Sequence, residues 1–340
     1  MPVIDNLTSF AAVDFLSLTK EGGECLVIVV AGSFVLPRQR RSLGAPLELC
    51  DDQFAPPRTD AYWGAPEKSS LRYDVPSAYA RSATDILLHG RAWAPGSRKV
   101  TRSQVTVRAG TMEKQAIVFG TRVWYRGLVG LSASDPLPFE SVPLQYEYSF
   151  GGNAPSKYEA RNPVGRGLYE NAKEALDKPL PSIEEPQSLI RSWTDRPSPC
   201  GFGPVARHWL PRSRWAGTYD AAWVEKRAPL WPPDFDERFF QTAPQGLQAT
   251  PHLRGGEPVV LDGVSPDGPI AFVLPSFRLL ARCAFARRRE KRLMMLDTVL
   301  LEPEENRLVL TWRATFPAHR ELATHEVTTV RLLEHWEDVP

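Results

Sequence analysis

Three aspartates lie close together in the middle of the chain, near two tryptophans. They are Asp220, Asp234 and Asp236, and the tryptophans are Trp223 and Trp231. Glycoside hydrolases use paired carboxylates beside aromatic platforms, one acid to protonate the leaving oxygen and the other to attack or to activate water. Aspartates in a proline-rich loop also cap turns through hydrogen bonds to the backbone. We favour the capping interpretation, because spacing alone does not place two carboxyl groups across a bond.

Motifs of other common active sites are missing from the sequence. The segment Gly263–Asp267 (GVSPD) is the nearest match to a nucleophile elbow, but it lacks the closing glycine and fits a hairpin turn better. The sequence contains no Walker loop and no GxGxxG, and its six histidines show neither HExxH nor another ligand spacing. We therefore expect no catalytic residue, no metal site and no cofactor.

A basic segment, Arg287–Arg292 (RRREKR), lies between two apolar stretches, Phe277–Phe285 and Leu293–Leu301. This pattern predicts a long hairpin with the basic segment at its tip. Such a tip could contact an acidic partner or nucleic acid. Because the net charge of the chain is only +1, no wide basic field supports that contact, and we favour a solvated tip. Nucleic acid is not an expected partner.

Composition indicates a β-rich protein with many turns. The chain has 340 residues and 32 prolines, well above the average usage of about 5%, which argues against long helices. One large domain over residues 1–340 is expected, with a possible subdivision into 1–150, 151–256 and 257–340. The first residues lack the basic region of a signal peptide, and the longest apolar run, Cys25–Leu36, is too short to span a membrane as a helix. We expect a cytoplasmic protein without membrane insertion.

Short apolar or alternating runs predict the strands. The clearest runs are Cys25–Val35, Ser103–Arg108, Lys114–Phe119, Ile270–Leu274 and Arg307–Thr315. They predict a mainly β fold, an antiparallel β-sandwich or barrel-like sheets, with few short helices and long ordered loops rich in proline, glycine and tryptophan. The stretch Arg38–Pro76 is expected to be irregular, and Pro317–Thr324 is expected to form a helical turn.

Special backbone residues are concentrated in one stretch, residues 146–166. Aromatic residues alternate at its start, from Tyr146 to Phe150, and predict a strand. The run ends at Gly151 and Gly152, and Asn162–Gly167 (NPVGRG) follows after a polar spacer. Paired glycines allow positive φ or a close backbone approach, and Asn-Pro favours a turn. The stretch predicts a shaped loop that either braces the fold, which we favour, or contacts a partner.

Many short motifs follow one another in a fixed order between residues 83 and 313. They include Thr84-Asp85-Ile86, Phe150-Gly151-Gly152, Asn162-Pro163-Val164-Gly165-Arg166-Gly167, Gly201-Phe202-Gly203-Pro204, Trp209 with Pro211-Arg212, Ala216-Gly217-Thr218-Tyr219-Asp220 with Trp223, Pro233-Asp234-Phe235-Asp236, Asp297-Thr298 and Trp312-Arg313. In this order the motifs resemble a family encoded in bacterial type VI secretion clusters, beside the genes for the VgrG spike and the PAAR tip.

The resemblance implies an adaptor or chaperone without catalytic activity. Such a protein holds a toxic effector that carries a PAAR or related tip domain and helps to load it on VgrG, so the effector and VgrG are the expected partners. Tryptophan and tyrosine anchors would suit that role, and an open edge strand could pair with an extended segment of the effector. The candidate partner-binding or loop-shaping residues are Phe150, Gly151, Gly152, Asn162, Pro163, Gly165, Arg166, Gly167, Trp209, Arg212, Gly217, Tyr219, Asp220, Trp223, Asp234 and Asp236.

The alternative is a carbohydrate-binding or carbohydrate-active β-domain that uses the same central loops, which are rich in tryptophan and aspartate. An enzyme of this kind predicts a cleft with two facing carboxyl groups. A binding domain predicts exposed, coplanar tryptophans.

Overall fold

The structure is a computed structural model that describes residues 3–37, 45–318 and 321–334. The beginning of the stretch predicted to be irregular, residues 38–44, lies outside the described residues. So do residues 319–320 in the predicted helical turn, whose described part contains a short 3-10 helix, Leu322–Thr324.

The described residues form 25 strands, most of them short, and few helices. In chain order the strands are β1 (Ile4–Asn6), β2 (Ala11–Leu18), β3 (Glu24–Val35), β4 (Ala61–Tyr62), β5 (Leu71–Tyr73), β6 (Thr84–Leu88), β7 (Arg91–Trp93), β8 (Arg102–Ala109), β9 (Met112–Phe119), β10 (Trp124–Arg126), β11 (Leu131–Ala133), β12 (Ser141–Pro143), β13 (Phe150–Gly151), β14 (Asn153–Ala154), β15 (Lys157–Tyr158), β16 (Arg166–Gly167), β17 (Ile183–Glu184), β18 (Gln248–Ala249), β19 (Pro258–Asp262), β20 (Ile270–Val273), β21 (Leu279–Phe285), β22 (Arg288–Leu293), β23 (Met295–Glu302), β24 (Arg307–Pro317) and β25 (His325–Leu332).

The α-helices are α1 (Ala172–Ala175) and α2 (Ala221–Lys226), and the remaining 3-10 helices are Pro95–Ser97, Tyr146–Tyr148, Arg212–Ala216, Glu237–Phe240 and Pro303–Glu305. The predicted mainly β fold with few short helices is confirmed. In the part of the chain that the structure describes, no helix is long and apolar enough to cross a membrane.

The largest sheet has six strands in the order β18-β6-β23-β24-β3-β2. Its strand β3 is buried at every position from Cys25 to Phe34. Even-numbered side chains such as Leu26 and Ile28 lie in the main core, whereas Val27 lies in a second apolar cluster on the other face. Because both faces are covered, the sequence of β3 is a continuous apolar run without alternation.

Two further sheets pack on one face of the six-stranded sheet. They have the orders β17-β9-β8-β19-β20 and β1-β25-β21-β22. The main core joins all three sheets through side chains such as Leu26, Val107 and Phe285, which makes the fold a β-sandwich of mostly antiparallel sheets. This core also contains Leu247 and Leu310, so it draws on all three of the predicted subdivisions. The boundaries at 150 and 256 stay a prediction.

Long loops cover the opposite face of the six-stranded sheet. Tyr79, Phe235 and Phe240 pack there on the odd-numbered side chains of β3, and Trp231 stacks on Phe235 with 4.3 Å between the ring centres. The loops are therefore ordered by aromatic packing, as predicted.

The predicted long hairpin over residues 277–301 is wrong. β21 pairs with β22, so the basic segment is itself an edge strand, and β23 continues into the six-stranded sheet between β6 and β24. The physical reason is burial. Leu296 and Val299–Leu301 are apolar and buried and suit a covered central strand, whereas charged residues suit an exposed edge, where they discourage pairing with other chains.

Candidate protein-interaction site

The sixteen predicted site residues fall in two places. Those between Phe150 and Gly167, with Trp209 and Arg212, are buried or half-buried inside the molecule. Those between Gly217 and Asp236 lie in a surface segment around α2. The first group forms a structural unit that we call the central brace, and the second belongs to the candidate interaction surface.

Asn162 is the centre of the brace. Its side chain is fully buried, and its Nδ2 donates hydrogen bonds to the carbonyl oxygens of Tyr146 (2.8 Å) and Phe150 (2.9 Å). Arg166 Nε donates a further hydrogen bond to the carbonyl of Glu147 (2.7 Å). Together these bonds satisfy three carbonyl groups of a tight turn. The predicted strand over residues 146–150 is therefore wrong in its first half. Tyr146–Tyr148 is a 3-10 helix, because these side chains compete successfully with strand pairing for its backbone.

The glycines of the brace allow two backbone segments to touch. A Cβ at Gly151 would lie 2.1 Å from the carbonyl oxygen of Asn162, so any residue larger than glycine would clash there. This approach lets β13 and β16 pair in parallel, Phe150 opposite Arg166 and Gly151 opposite Gly167. The glycine and asparagine motifs of this stretch thus shape the backbone, consistent with the bracing interpretation.

We expect Asn162→Ala to lower the free energy of unfolding by about 2–4 kcal/mol, because the carbonyl groups of Tyr146 and Phe150 would each lose the hydrogen bond from the buried amide. The measurement is urea unfolding followed by tryptophan fluorescence. Asn153→Ala is the matched control, since Asn153 is exposed on β14, and its effect should stay within about 0.5 kcal/mol. Equal effects of the two variants would contradict the bracing role.

Trp209 and Arg212 also stabilise the interior. Trp209 is buried and packs edge-to-face on Tyr146, with 5.5 Å between the ring centres. Arg212 donates to the carbonyl oxygens of Val205 (2.6 Å) and Phe239 (2.9 Å), and it lies 3.4 Å from Asp74. Neither side chain is available to a partner in this conformation.

Three residues of the sequence motifs, Asp85, Asp297 and Arg313, have a structural role that the sequence did not indicate. They belong to a buried ionic network. Arg81 lies between Asp74 (3.7 Å) and Asp85 (3.0 Å), and Arg313 pairs with Asp297 (2.5 Å). All five side chains are almost completely buried, on the loop-covered face of the six-stranded sheet. The sequence signal for this network is a charged residue inside each of three largely apolar strands: Asp85 in β6, Asp297 in β23 and Arg313 in β24.

The three central aspartates are used by the loop itself. Asp220 accepts a hydrogen bond from the backbone N–H of Trp223 and caps α2. Asp234 accepts from the backbone N–H and the hydroxyl of Thr218, and these bonds lower its pKa. Asp236 caps the following 3-10 helix, and its hydrogen bonds with Arg238 lower its pKa. A general acid needs a raised pKa, the opposite of the shifts at Asp234 and Asp236. The capping interpretation holds for Asp220 and Asp236, whereas Asp234 joins two parts of the loop through Thr218.

The segment around α2 is fixed to the turn between β2 and β3. Arg227 donates through Nε to the carbonyl of Trp231 (2.9 Å) and through Nη2 to the carbonyl of Lys20 (2.7 Å). Leu230 covers Gly22 so closely that a Cβ at Gly22 would lie 2.7 Å from its methyl group. Trp223 Nε1 donates to the carbonyl of Leu230 (2.9 Å). These contacts make the segment a well-anchored platform.

The platform presents an apolar surface, which we call the α2 patch: Tyr219, Trp223 and Val224. Tyr219 is 50% exposed and packs edge-to-face on the half-buried Trp223, with 4.7 Å between the ring centres. Val224 on α2 is 64% exposed. Gly217 begins this segment with φ = 87°, and a Cβ there would lie 2.9 Å from Asp234 Oδ1, so a glycine is required.

A neighbouring feature was not found from the sequence. Leu16 and Leu18 of β2 are exposed, and with Leu230, Trp231 and Leu322 they line a groove of about 480 Å³ beside the α2 segment. The signal was the partly alternating run AAVDFLSL at Ala11–Leu18, which is typical of a half-buried strand. The candidate site therefore extends from the α2 patch to β2.

Across residues 3–37, 45–318 and 321–334, no three side chains of histidine, cysteine, aspartate or glutamate are grouped so that they could hold a metal ion.

Comparison with known proteins identifies the family of the chain. The family model of an uncharacterized protein conserved in bacteria (DUF2169) matches residues 21–313. This range includes the central brace and the α2 patch, and it begins just after β2. Comparisons with curated proteins and with solved structures found no match. Because the match covers most of its length, the chain belongs to the DUF2169 family of uncharacterized bacterial proteins.

Proposed function

We propose that this protein is a non-enzymatic adaptor of type VI secretion. It binds a toxic effector in the cytoplasm, at a PAAR or related tip domain, and helps to load that effector on the VgrG spike. The observation that carries the proposal is the α2 patch, where an aromatic pair and Val224 lie on an anchored surface segment. The choice of partner rests on the resemblance of the sequence motifs, and the family match covers the same motifs.

The geometry of the patch suits reversible protein binding. Interfaces concentrate their binding energy in a few aromatic and aliphatic anchors that are surrounded by polar residues. Tyr219 and Trp223 provide such anchors, and Asp220, Glu225 and Lys226 provide exposed polar groups around them. Because Arg227 and Trp223 already hold the segment through hydrogen bonds, little ordering entropy would be lost on binding.

The test is co-purification of the tagged protein with an effector and VgrG encoded beside it. The effector is supplied with its PAAR-bearing end and, separately, without it. We expect the tagged protein to retain the effector only when that end is present. Failure to retain either neighbour would overturn the proposal.

A matched pair of variants connects this result to the patch. Val224→Glu should lower the retained effector at least tenfold, because it places a charge among the apolar anchors. Ala222→Glu adds the same charge to an exposed position about 200° around the same helix, and it should retain the effector like the wild type. If both variants bind normally, the effector contacts another surface.

The carbohydrate alternative has no observation in its favour. Each of the nine described tryptophans is buried or half-buried, and Trp223 packs edge-to-face on Tyr219 rather than coplanar with a second tryptophan. The three aspartates of the central loop are engaged by neighbouring backbone or side-chain groups.

A further inference from the structure

In the part of the chain that the structure describes, no strand pairs with the outer edge of β2. β2 is the last strand of the six-stranded sheet and pairs only with β3 among the described residues. The N–H of Thr19, just past the end of β2, donates a hydrogen bond to the carbonyl of Gly23. Because hydrogen-bonded and non-bonded pairs alternate in an antiparallel ladder, it follows that the odd-numbered residues of β2 bond to β3. The N–H and C=O groups of Ala12, Asp14, Leu16 and Leu18 therefore point away from the sheet.

Two side chains occupy this edge where the donors of another strand would lie. Arg58 Nη1 donates to the carbonyl of Asp14, and Trp231 Nε1 donates to the carbonyl of Leu18, each at 3.3 Å. Both bonds are longer than a typical N–H···O bond of about 2.9–3.0 Å, and the side chain of Arg58 is 65% exposed. The two carbonyls are four residues apart, about 13–14 Å along a strand. An extended chain places backbone N–H groups at this spacing.

The side chains beside the edge are apolar. Leu16 is 56% exposed and Leu18 is 41% exposed, and both line the groove with Leu230, Trp231 and Leu322. An unpaired edge strand with exposed aliphatic residues promotes aggregation unless a partner covers it. Proteins normally protect such edges with charged residues or proline. The edge strand β22 of the neighbouring sheet carries arginines and a lysine along its length, whereas β2 carries one charged residue, Asp14, and its exposed end at Leu16 and Leu18 is apolar.

We infer that the outer edge of β2 binds an extended segment of the partner protein as an additional strand. The backbone of the segment pairs with Ala12, Asp14 and Leu16, and displaces the long bonds from Arg58 and Trp231. Alternate side chains of the segment are apolar and enter the groove beside Leu16 and Leu18. The inference rests on the proposed function, because it assigns the effector as the source of the segment, and it deepens that proposal by naming the mode of binding.

The direct test is amide hydrogen exchange across residues 11–18, measured by mass spectrometry on the protein alone and on its complex with the co-purified effector. The N–H groups of Ala12, Asp14 and Leu16 should exchange fast in the free protein. They should be protected at least tenfold in the complex. Unchanged exchange in a complex that does form would overturn the inference and leave the adaptor function intact.

A proline variant tests the same contact by binding. Leu16→Pro removes an N–H that faces outward, so β2 keeps its bonds to β3 while the edge can no longer pair. We expect at least a tenfold loss of effector binding with an unchanged circular dichroism spectrum. Lys291→Pro is the matched control, since it places proline in the exposed edge strand β22, and it should bind like the wild type. Equal binding by Leu16→Pro and the wild type contradicts the inference.

The remaining outcomes are also decisive. If the wild-type protein retains no effector, the proposed function fails and the assigned segment fails with it. If β2 is already protected in the isolated protein, light scattering gives the mass of a dimer and Leu16→Pro restores the monomer, then a second copy of the chain occupies the edge and the inference is wrong.

Discussion

Asp85→Ala is expected to lower the free energy of unfolding by about 3–5 kcal/mol, the usual cost of removing one partner from a buried ion pair. Asp85 is completely buried and accepts four hydrogen bonds. The donors are Arg81 Nη1 (3.0 Å), Gln241 Nε2 (3.0 Å), and the backbone N–H (2.6 Å) and hydroxyl (2.9 Å) of Thr242. Alanine would leave the buried N–H and hydroxyl of Thr242 without this acceptor, and it would remove the carboxylate that lies closest to the Arg81 guanidinium.

The measurement is urea unfolding at neutral pH. Asp267→Ala is the control, because Asp267 is an exposed turn residue, and its effect should stay within about 0.5 kcal/mol. Asp85 joins β6 to the loop that continues from the α2 segment. If Asp85→Ala lowers the free energy of unfolding by less than about 1 kcal/mol, the network contributes little to holding this loop.

The second large effect concerns pH. Glu302 is buried beside His89, Tyr73 and Arg307, and it accepts hydrogen bonds from Tyr73 Oη (2.6 Å) and from Arg307 Nε (2.8 Å) and Nη2 (2.6 Å). Burial raises the pKa of this carboxyl, but hydrogen bonds from His89, Tyr73 and Arg307 outweigh burial and lower the pKa from 4.5 to about 2. Glu302 is therefore ionised in the folded protein over the whole physiological range.

A lowered pKa in the folded state means that Glu302 stabilises the fold above about pH 4.5, and that this contribution is lost as the pH falls towards 2. The shift from 4.5 to about 2 corresponds to about 3 kcal/mol at neutral pH, of which about half is lost by pH 3. Burial lowers the pKa of His89 in the folded protein. Below about pH 6.5 the unfolded chain therefore takes up a proton at this residue more readily than the folded protein does, so His89 also lowers the stability as the pH falls.

The check is the difference in unfolding free energy between the wild type and Glu302→Gln, measured at pH 6, 5, 4 and 3. The difference should shrink by about half over this range, since the glutamine has no charge to lose. Glu225→Gln, on the exposed surface of α2, is the matched control variant. A difference that stays constant with pH would mean that Glu302 contributes through packing rather than through its charge.

The sequence was sufficient where local pattern decides the structure. β3 was predicted because a strand covered on both faces must be apolar throughout, and β8 and β9 because their residues alternate. The same reasoning failed where pairing depends on distant residues. Nothing within Phe277–Leu301 shows that β23 lies beside β6, because that contact is made with residues more than 200 positions earlier.

The candidate site divides in the same way. Capping by Asp220 and Asp236 follows from a hydrogen bond within three residues, and it was predicted from the turn-rich sequence. The bracing role of Asn162 follows from its short distance in sequence to Tyr146 and Phe150. The open edge of β2 was not predicted, because an edge is defined by the strand that is missing beside it.

The position of β3 in the six-stranded sheet has a consequence for biosynthesis. β3 pairs over Cys25–Val35 with β24, Leu26 opposite Phe316, so this long apolar strand receives its second neighbour only after about 270 further residues have been synthesised. At about 5–20 residues per second, this delay lasts roughly 15–60 s. Throughout that time an apolar strand is exposed to other nascent chains. We therefore expect efficient production of the protein to require protection of β3 during translation, before any partner of the finished protein is met.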